Sequence, residues 1–165
     1  MDINHFDNIY QNFEQGTYKS KYYDIDSLNS HALMEAHDLS VFYHNICSLY
    51  PKQDAVQSYL SRLNFDMNVL CFVESWLNES TRNLVNFNGC NDYHSLRDSK
   101  KGGGISLYIQ SKFRSKLLPG QSSVTDVIES LFVELQASST RVFIGVIYRP
   151  PNSDPSQFIL SLIHI

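Results

Sequence analysis

The apolar positions of this chain fall into short blocks with two different periods. Residues 69–73 (VLCFV) are apolar throughout and lie between Asn68 and Glu74, the pattern of a strand buried on both faces. Residues 39–46 (LSVFYHNI) are β-branched and aromatic and read as another strand. Between them Pro51 precedes Ala55, Val56, Tyr59, Leu60 and Leu63, whose spacings of three and four make one apolar helical face with proline in its first turn. Strand, helix and strand within about 35 residues form a βαβ unit, with parallel strands and a right-handed crossover expected. Asn45 and Glu74 then fall at the same end of one sheet.

Further along the period becomes two. Residues 93–97 read as a short strand, and 105–110 as another with Ile105, Leu107 and Ile109 on one face. The connecting DSKKGGG is read as a hairpin connection, because its three glycines permit positive φ. A phosphate-cradling loop is the sharper alternative, but no Gly-Lys-Ser/Thr follows and no helix opens after the glycines. Lys100 and Lys101 stand at the tip, either touching a polyanion or simply solvated. In 129–136 (ESLFVELQ), Leu131, Val133 and Leu135 share a face and Phe132 on the other needs cover. Residues 141–148 (RVFIGVIY) are almost wholly apolar, as in a central strand. Pro150 and Pro151 must end it and leave Tyr148 and Arg149 at its tip. Residues 157–163 open a helix. Residues 1–37, rich in Asn, Asp, Tyr and Ser without a sustained period, are expected to be a poorly ordered leader to a domain over 38–165.

Composition narrows the picture mainly by exclusion. A chain of 165 residues with net charge −4 and pI near 5.8 lacks the basic footprint of a protein that holds nucleic acid nonspecifically. Cys47, Cys71 and Cys90 are odd in number and lack metal-ligand spacing, which points to a reducing compartment without disulfide partner or zinc site. No stretch reaches the roughly 20 apolar residues of a membrane span, and the polar N-terminus is no signal peptide, so no membrane partner is expected and the sequon at Asn78 should be unglycosylated. The residue with most chemical promise is Glu74. Open α/β sheets keep their ligand crevice at the C-terminal ends of strands, where this carboxylate would stand on a rigid element. The plainer reading is a strand-end glutamate facing water.

The blocks HNICSL, VLCFVESWL, GGGISLYI, ESLFVEL and VIYRPP, in this order over about residues 39–155, resemble the endonuclease domain of non-LTR (LINE-type) retrotransposon polyproteins. That domain belongs to the endonuclease/exonuclease/phosphatase superfamily. The resemblance implies an α/β fold in four layers, two mixed β-sheets face to face with helices outside. It implies a hydrolase of phosphodiester bonds that nicks target DNA to prime reverse transcription. By the same resemblance Glu74 is the ligand of Mg²⁺ (or Mn²⁺), Asn45 orients the carboxylate and scissile phosphate, and Tyr148 hydrogen-bonds a phosphate oxygen. Arg149 is a candidate substrate contact. DNA and a downstream reverse-transcriptase domain are the implied partners, and the nucleus the implied place of action.

Two departures qualify the implication. Cys47 stands where many members of the retroelement branch carry a basic residue. The Gly-Asp-Phe-Asn and Ser-Asp-His blocks of the superfamily are not found before Ile165, and the tail LSLIHI departs from its pattern. The expectation is therefore an N-terminal portion of the domain with one sheet mostly missing, weakly stable and inactive by itself. A catalytically dead remnant or interaction module is the alternative from another class. A phosphatase or lipid phosphodiesterase of the same superfamily is the third.

Overall fold

The computed structural model describes residues 22–31, 39–97, 102–137 and 140–163. Lys100, Lys101, most of the 1–37 leader and the last two residues of the LSLIHI tail lie outside the described residues. The chain divides into two compact units, residues 1–33 and 34–165. In the first, helix α1 (Ile25–His31) begins at Asp24, whose Oδ1 accepts the Ser27 N–H at 2.7 Å and so satisfies a donor that the first turn leaves over.

In the second unit β1 (Val41–Asn45) runs parallel to β2 (Val69–Val73), with Val41 opposite Val69 and Asn45 opposite Val73. The connection is a 3₁₀ turn over Tyr50–Lys52, holding Pro51, and then α2 (Gln53–Leu60), which buries Val56. All five residues of β2 are buried. Val69, Cys71 and Val73 face the second sheet, while Leu70 and Phe72 pack with Leu49, Val56, Phe87 and Tyr108 on the helix side. That double burial explains the unbroken apolar run. Each such side chain contributes roughly 1.5 to 3 kcal/mol.

Strand β3 (Cys90–Ser95) and β4 (Ile105–Gln110) form the expected antiparallel hairpin, and β4 also pairs antiparallel with β2. The order of this first sheet is β1-β2-β4-β3. The second sheet centres on β7 (Glu129–Ala137), which pairs with β5 (Arg114–Leu117) and β6 (Ser123–Val124) along one edge and with β8 (Thr140–Tyr148) along the other. Strands β5 and β6 carry too few apolar residues to announce themselves in the sequence. Among the described residues each sheet has four strands. Leu131, Val133, Leu135 and Val146 of the second sheet close on Val69, Cys71, Val73, Ile105, Leu107 and Ile109 of the first, which makes the sandwich core.

Strand β8 is not central. Among the described residues it pairs only with β7, and its outer face leaves Phe143 exposed. On this strand Gly145 lies opposite Phe132, and a Cβ there would run into the Phe132 ring. The glycine gives the aromatic ring the cover its position demanded. After the Pro150–Pro151 exit, α3 (Pro155–Ile163) follows, with the Asp154 carboxylate accepting the Ser156 N–H at 2.8 Å.

Candidate active site

Strand β2 ends by placing Glu74, the first polar residue after its apolar run, at the rim of the sandwich. The backbone there is pinned on both sides. Ser48 N–H donates to the Glu74 carbonyl at 2.9 Å, and Ser75 and Trp76 N–H groups donate to the Gly104 and Gly103 carbonyls at 3.1 and 3.0 Å. Glu74 and Trp76 both take φ of +55°, a region non-glycine residues rarely occupy and one that costs about 1 to 3 kcal/mol each. The loop between β1 and α2 shows the same strain, with φ of +47° at Cys47 and +81° at Ser48, and Lys52 Nζ ties it down by donating to the Ile46 carbonyl at 2.6 Å.

The Glu74 carboxylate is held by three donors from different parts of the chain. Oε1 accepts the Tyr148 phenol from the end of β8, and Oε2 accepts the Trp76 indole N–H at 2.5 Å and the Gly103 N–H at 2.9 Å. Partial burial by itself pushes this carboxyl up. The bonds from Tyr148, Trp76 and Gly103 and the charge of Arg97 outweigh it and hold the group below the usual carboxylate range. The partner phenol moves the other way: burial, then the bond to an anion, raise Tyr148 above the ordinary tyrosine value. Around neutral pH the pair is thus a carboxylate and an intact phenol.

Behind it lies a second carboxylate that the sequence did not single out. Glu129 opens β7 opposite Tyr148, has no exposed surface, and accepts the Gly104 N–H on Oε2 at 2.6 Å. Its Oε1 lies 3.3 Å from a guanidinium nitrogen of Arg97, without hydrogen-bond alignment, and Arg97 also donates to Asp126 at 2.8 Å. Burial raises the Glu129 carboxyl, against the pull of Gly104 and Arg97. Two successive glycine N–H groups therefore serve two carboxylates, Gly103 for Glu74 and Gly104 for Glu129. Gly103 has φ of +73°, and a Cβ on it would strike Glu129, so this loop requires glycine.

Asn45 stands at the same end of the sheet as Glu74, exposed, its Oδ1 accepting from Cys47 Sγ at 3.5 Å. Among the described residues no hydrogen bond joins its side chain to that of Glu74. Arg149 is exposed and donates to the Ser153 carbonyl at 3.1 Å. Of the four residues singled out in the sequence, Glu74 and Tyr148 touch, Asn45 stands at the same strand end, and Arg149 bonds to the exit loop. Trp76, Gly103, Arg97 and Glu129 were missed, although Trp76 lies two residues from Glu74 in the same block. A cleft of about 430 Å³ opens here, lined by Glu74, Trp76, Arg97, Gly103 and the Pro150–Pro151 turn among others.

A mixed α/β sandwich of two multi-strand sheets is the arrangement of an endonuclease-type fold. The structure is similar to the endonuclease domain of TRAS1, a telomere-specific non-LTR retrotransposon, with a TM-score of 0.54 and 11% sequence identity over 76% of this chain. The chain spans about half of that domain, 52% of its length. No family model and no curated protein matches the sequence.

Proposed function

We propose that these residues form the N-terminal, cation-holding part of a Mg²⁺-dependent DNA endonuclease domain of the non-LTR retrotransposon kind. The observation that carries this reading is the Glu74 carboxylate, ionised and clamped by Tyr148, Trp76 and Gly103 at the end of a fully buried strand. Among the described residues no three His, Cys, Asp or Glu side chains converge, so the fit is to a hard cation held by one carboxylate and otherwise by water and phosphate. Glu74 suits that arrangement: Oε2 accepts two hydrogen bonds and Oε1 one, and a carboxylate oxygen has a second lone-pair site.

When bound, Mg²⁺ (or Mn²⁺) supplies positive charge to the phosphate oxygens of a phosphodiester. The chain's own groups do the rest of the positioning. Tyr148, kept protonated by burial and by its anion partner, remains a donor and can share its proton between Glu74 and a phosphate oxygen. Asn45 offers an exposed amide at the same strand end, which orients the phosphate against Glu74. In this reading DNA is the substrate, a reverse-transcriptase domain follows in the polyprotein, and the nucleus is the place of action. Among the described residues no general base is assigned beside Glu74, a role worth about 10²- to 10⁴-fold in rate, and in this reading residues 1–165 bind but do not nick.

The test pairs this chain with the full reading frame that contains it. Supercoiled plasmid is nicked by the longer protein in Mg²⁺, not in chelator, and Glu74→Ala abolishes the activity. Residues 1–165 alone leave the plasmid intact. Release of phosphate from inositol, lipid or nucleotide phosphates by the longer protein, with no plasmid nicking, would place it on the phosphatase side of the same fold. Inactivity of the longer protein on every substrate would leave a dead remnant.

A further inference from the structure

Glu129, the first residue of β7, has no exposed surface, and its carboxylate bonds to the loop that holds Glu74. A carboxylate in the interior needs donors, and this one is incompletely served. Oε2 accepts the Gly104 N–H at 2.6 Å, while Oε1 has no aligned hydrogen bond and lies 3.3 Å from an Arg97 nitrogen. A well-packed apolar side chain often serves stability as well at such a position, so packing does not account for a glutamate here. What it touches does. Gly102, Gly103 and Gly104 take φ of +95°, +73° and +82°, a backbone with no side chain to anchor it, so bonds from outside must fix where its N–H groups point.

Those bonds run to both sheets. On the side of the first, Gly103 N–H donates to Glu74 Oε2 at 2.9 Å, and the Gly103 and Gly104 carbonyls accept the Trp76 and Ser75 N–H groups at 3.0 and 3.1 Å. On the side of the second, Glu129 takes the next N–H along the loop. Glu129 also stands opposite Tyr148 in the register of β7 and β8, and Tyr148 donates to Glu74 Oε1. Gly103 and Tyr148, both donors to the Glu74 carboxylate, are thus each next to a group that Glu129 holds or faces. We infer that Glu129 is a positioning residue for Glu74: its carboxylate fixes the Gly103–Gly104 loop so that the Gly103 N–H holds Glu74 in the orientation that receives a hard cation. The inference rests on the cation-holding reading of Glu74 above and adds to it the residue that sets the geometry. The rival account is electrostatic, a second negative charge near the cation, and it would not need the Gly104 bond.

Mn²⁺ is titrated into the full chain and its variants, and the EPR signal of the free ion gives the bound fraction. Amide exchange at Gly103 and Gly104, followed by NMR, reports on the loop without metal. Glu129→Gln keeps an acceptor at the same reach and removes the charge, whereas Glu129→Asp keeps the charge and is one methylene shorter, out of reach of Gly104. Glu129→Asp weakens Mn²⁺ binding by roughly 10- to 100-fold and speeds exchange at both glycines, while Glu129→Gln binds within about threefold of the native chain and keeps both amides protected. Val56→Ala, a buried truncation on the helix side of the first sheet, binds as the native chain does and so separates positioning from lost stability. The Gln variant and the native amides decide the matter even where the Asp variant does not fold. Weak binding by Glu129→Gln, native binding by Glu129→Asp, an equal loss in Val56→Ala, or unprotected glycine amides in the native chain would each overturn the positioning role and leave the cation reading standing. No saturable Mn²⁺ binding by the native chain would overturn both.

Discussion

The phenol of Tyr148 donates to the carboxylate of Glu74 across 74 positions of sequence, from the last residue of β8 in one sheet to the residue after β2 in the other. This contact joins the two sheets at the rim where the cleft opens. The same bond lowers the acid, together with Trp76, Gly103 and Arg97, and adds to the burial that raises the phenol.

Replacing Tyr148 by Phe removes that bond without removing the ring. Hydrogen bonds to charged groups contribute about 1.5 to 3 kcal/mol, less where water reaches the pair, so Tyr148→Phe should cost about 1 to 2 kcal/mol. Urea unfolding followed by circular dichroism checks it. In the same variant the Glu74 carboxyl should move up toward its ordinary value, read by carboxyl ¹³C chemical shifts across a pH series.

The pH dependence has opposite signs at the two carboxylates. Glu74 lies below its unfolded value, so its contribution is present above that value and lost as pH falls through the folded one. Glu129 lies above its unfolded value, so the penalty it carries is relieved as pH falls. Tyr148, also raised, contributes below the ordinary tyrosine value and loses that contribution as pH rises through its folded one. Stability should therefore decline on the alkaline side in the native chain, and Tyr148→Phe should flatten that limb. Urea midpoints at acid, neutral and alkaline pH measure both effects.

Glu129 anchors the glycine loop from beneath. Glu129→Ala strands Gly104 N–H and strips Arg97 of its buried partner, although Asp126 remains, and should cost about 3 kcal/mol. Glu129→Gln keeps an acceptor for Gly104 and should cost clearly less. A loss for the Gln variant as large as for the Ala variant would show that charge, not the N–H bond, is what Glu129 provides.

Gly145 and Phe132 should be coupled. Gly145→Ala puts a Cβ into the Phe132 ring and should cost about 1 to 3 kcal/mol, and Phe132→Leu should give part of it back in the double variant. Additive losses in the two single variants would mean that the ring turns aside freely.

Much of this structure could be read from residues alone where burial was two-sided or strictly alternating. The run Val69–Val73 and the alternation of Leu131, Val133 and Leu135 dictated their strands because these inward positions are all apolar. Strand β5 (RSKL) and β6 (SV) could not be read, being short edge strands whose existence depends on the β7 backbone beside them. The apolar run of β8 suggested a centre because Phe143 and Ile147 mask its alternation, and the reason for Gly145 lies in a ring on another strand. At the site, Glu74 stood out because it ends an apolar run. Glu129 did not, because a glutamate opening a half-polar strand is ordinary until the register sets it beside Tyr148 and under Gly104.

The most direct measurement of the central claim is a Mn²⁺ titration of the full chain followed by its single tryptophan. The Trp76 indole nitrogen lies 2.5 Å from Glu74 Oε2, so a paramagnetic cation seated on that carboxylate must quench the emission. The account predicts saturable quenching that Mg²⁺ competes away, that Glu74→Ala abolishes, and that fades as pH falls through the lowered Glu74 value. Quenching that persists undiminished in Glu74→Ala, or no saturable quenching in the native chain, would contradict it.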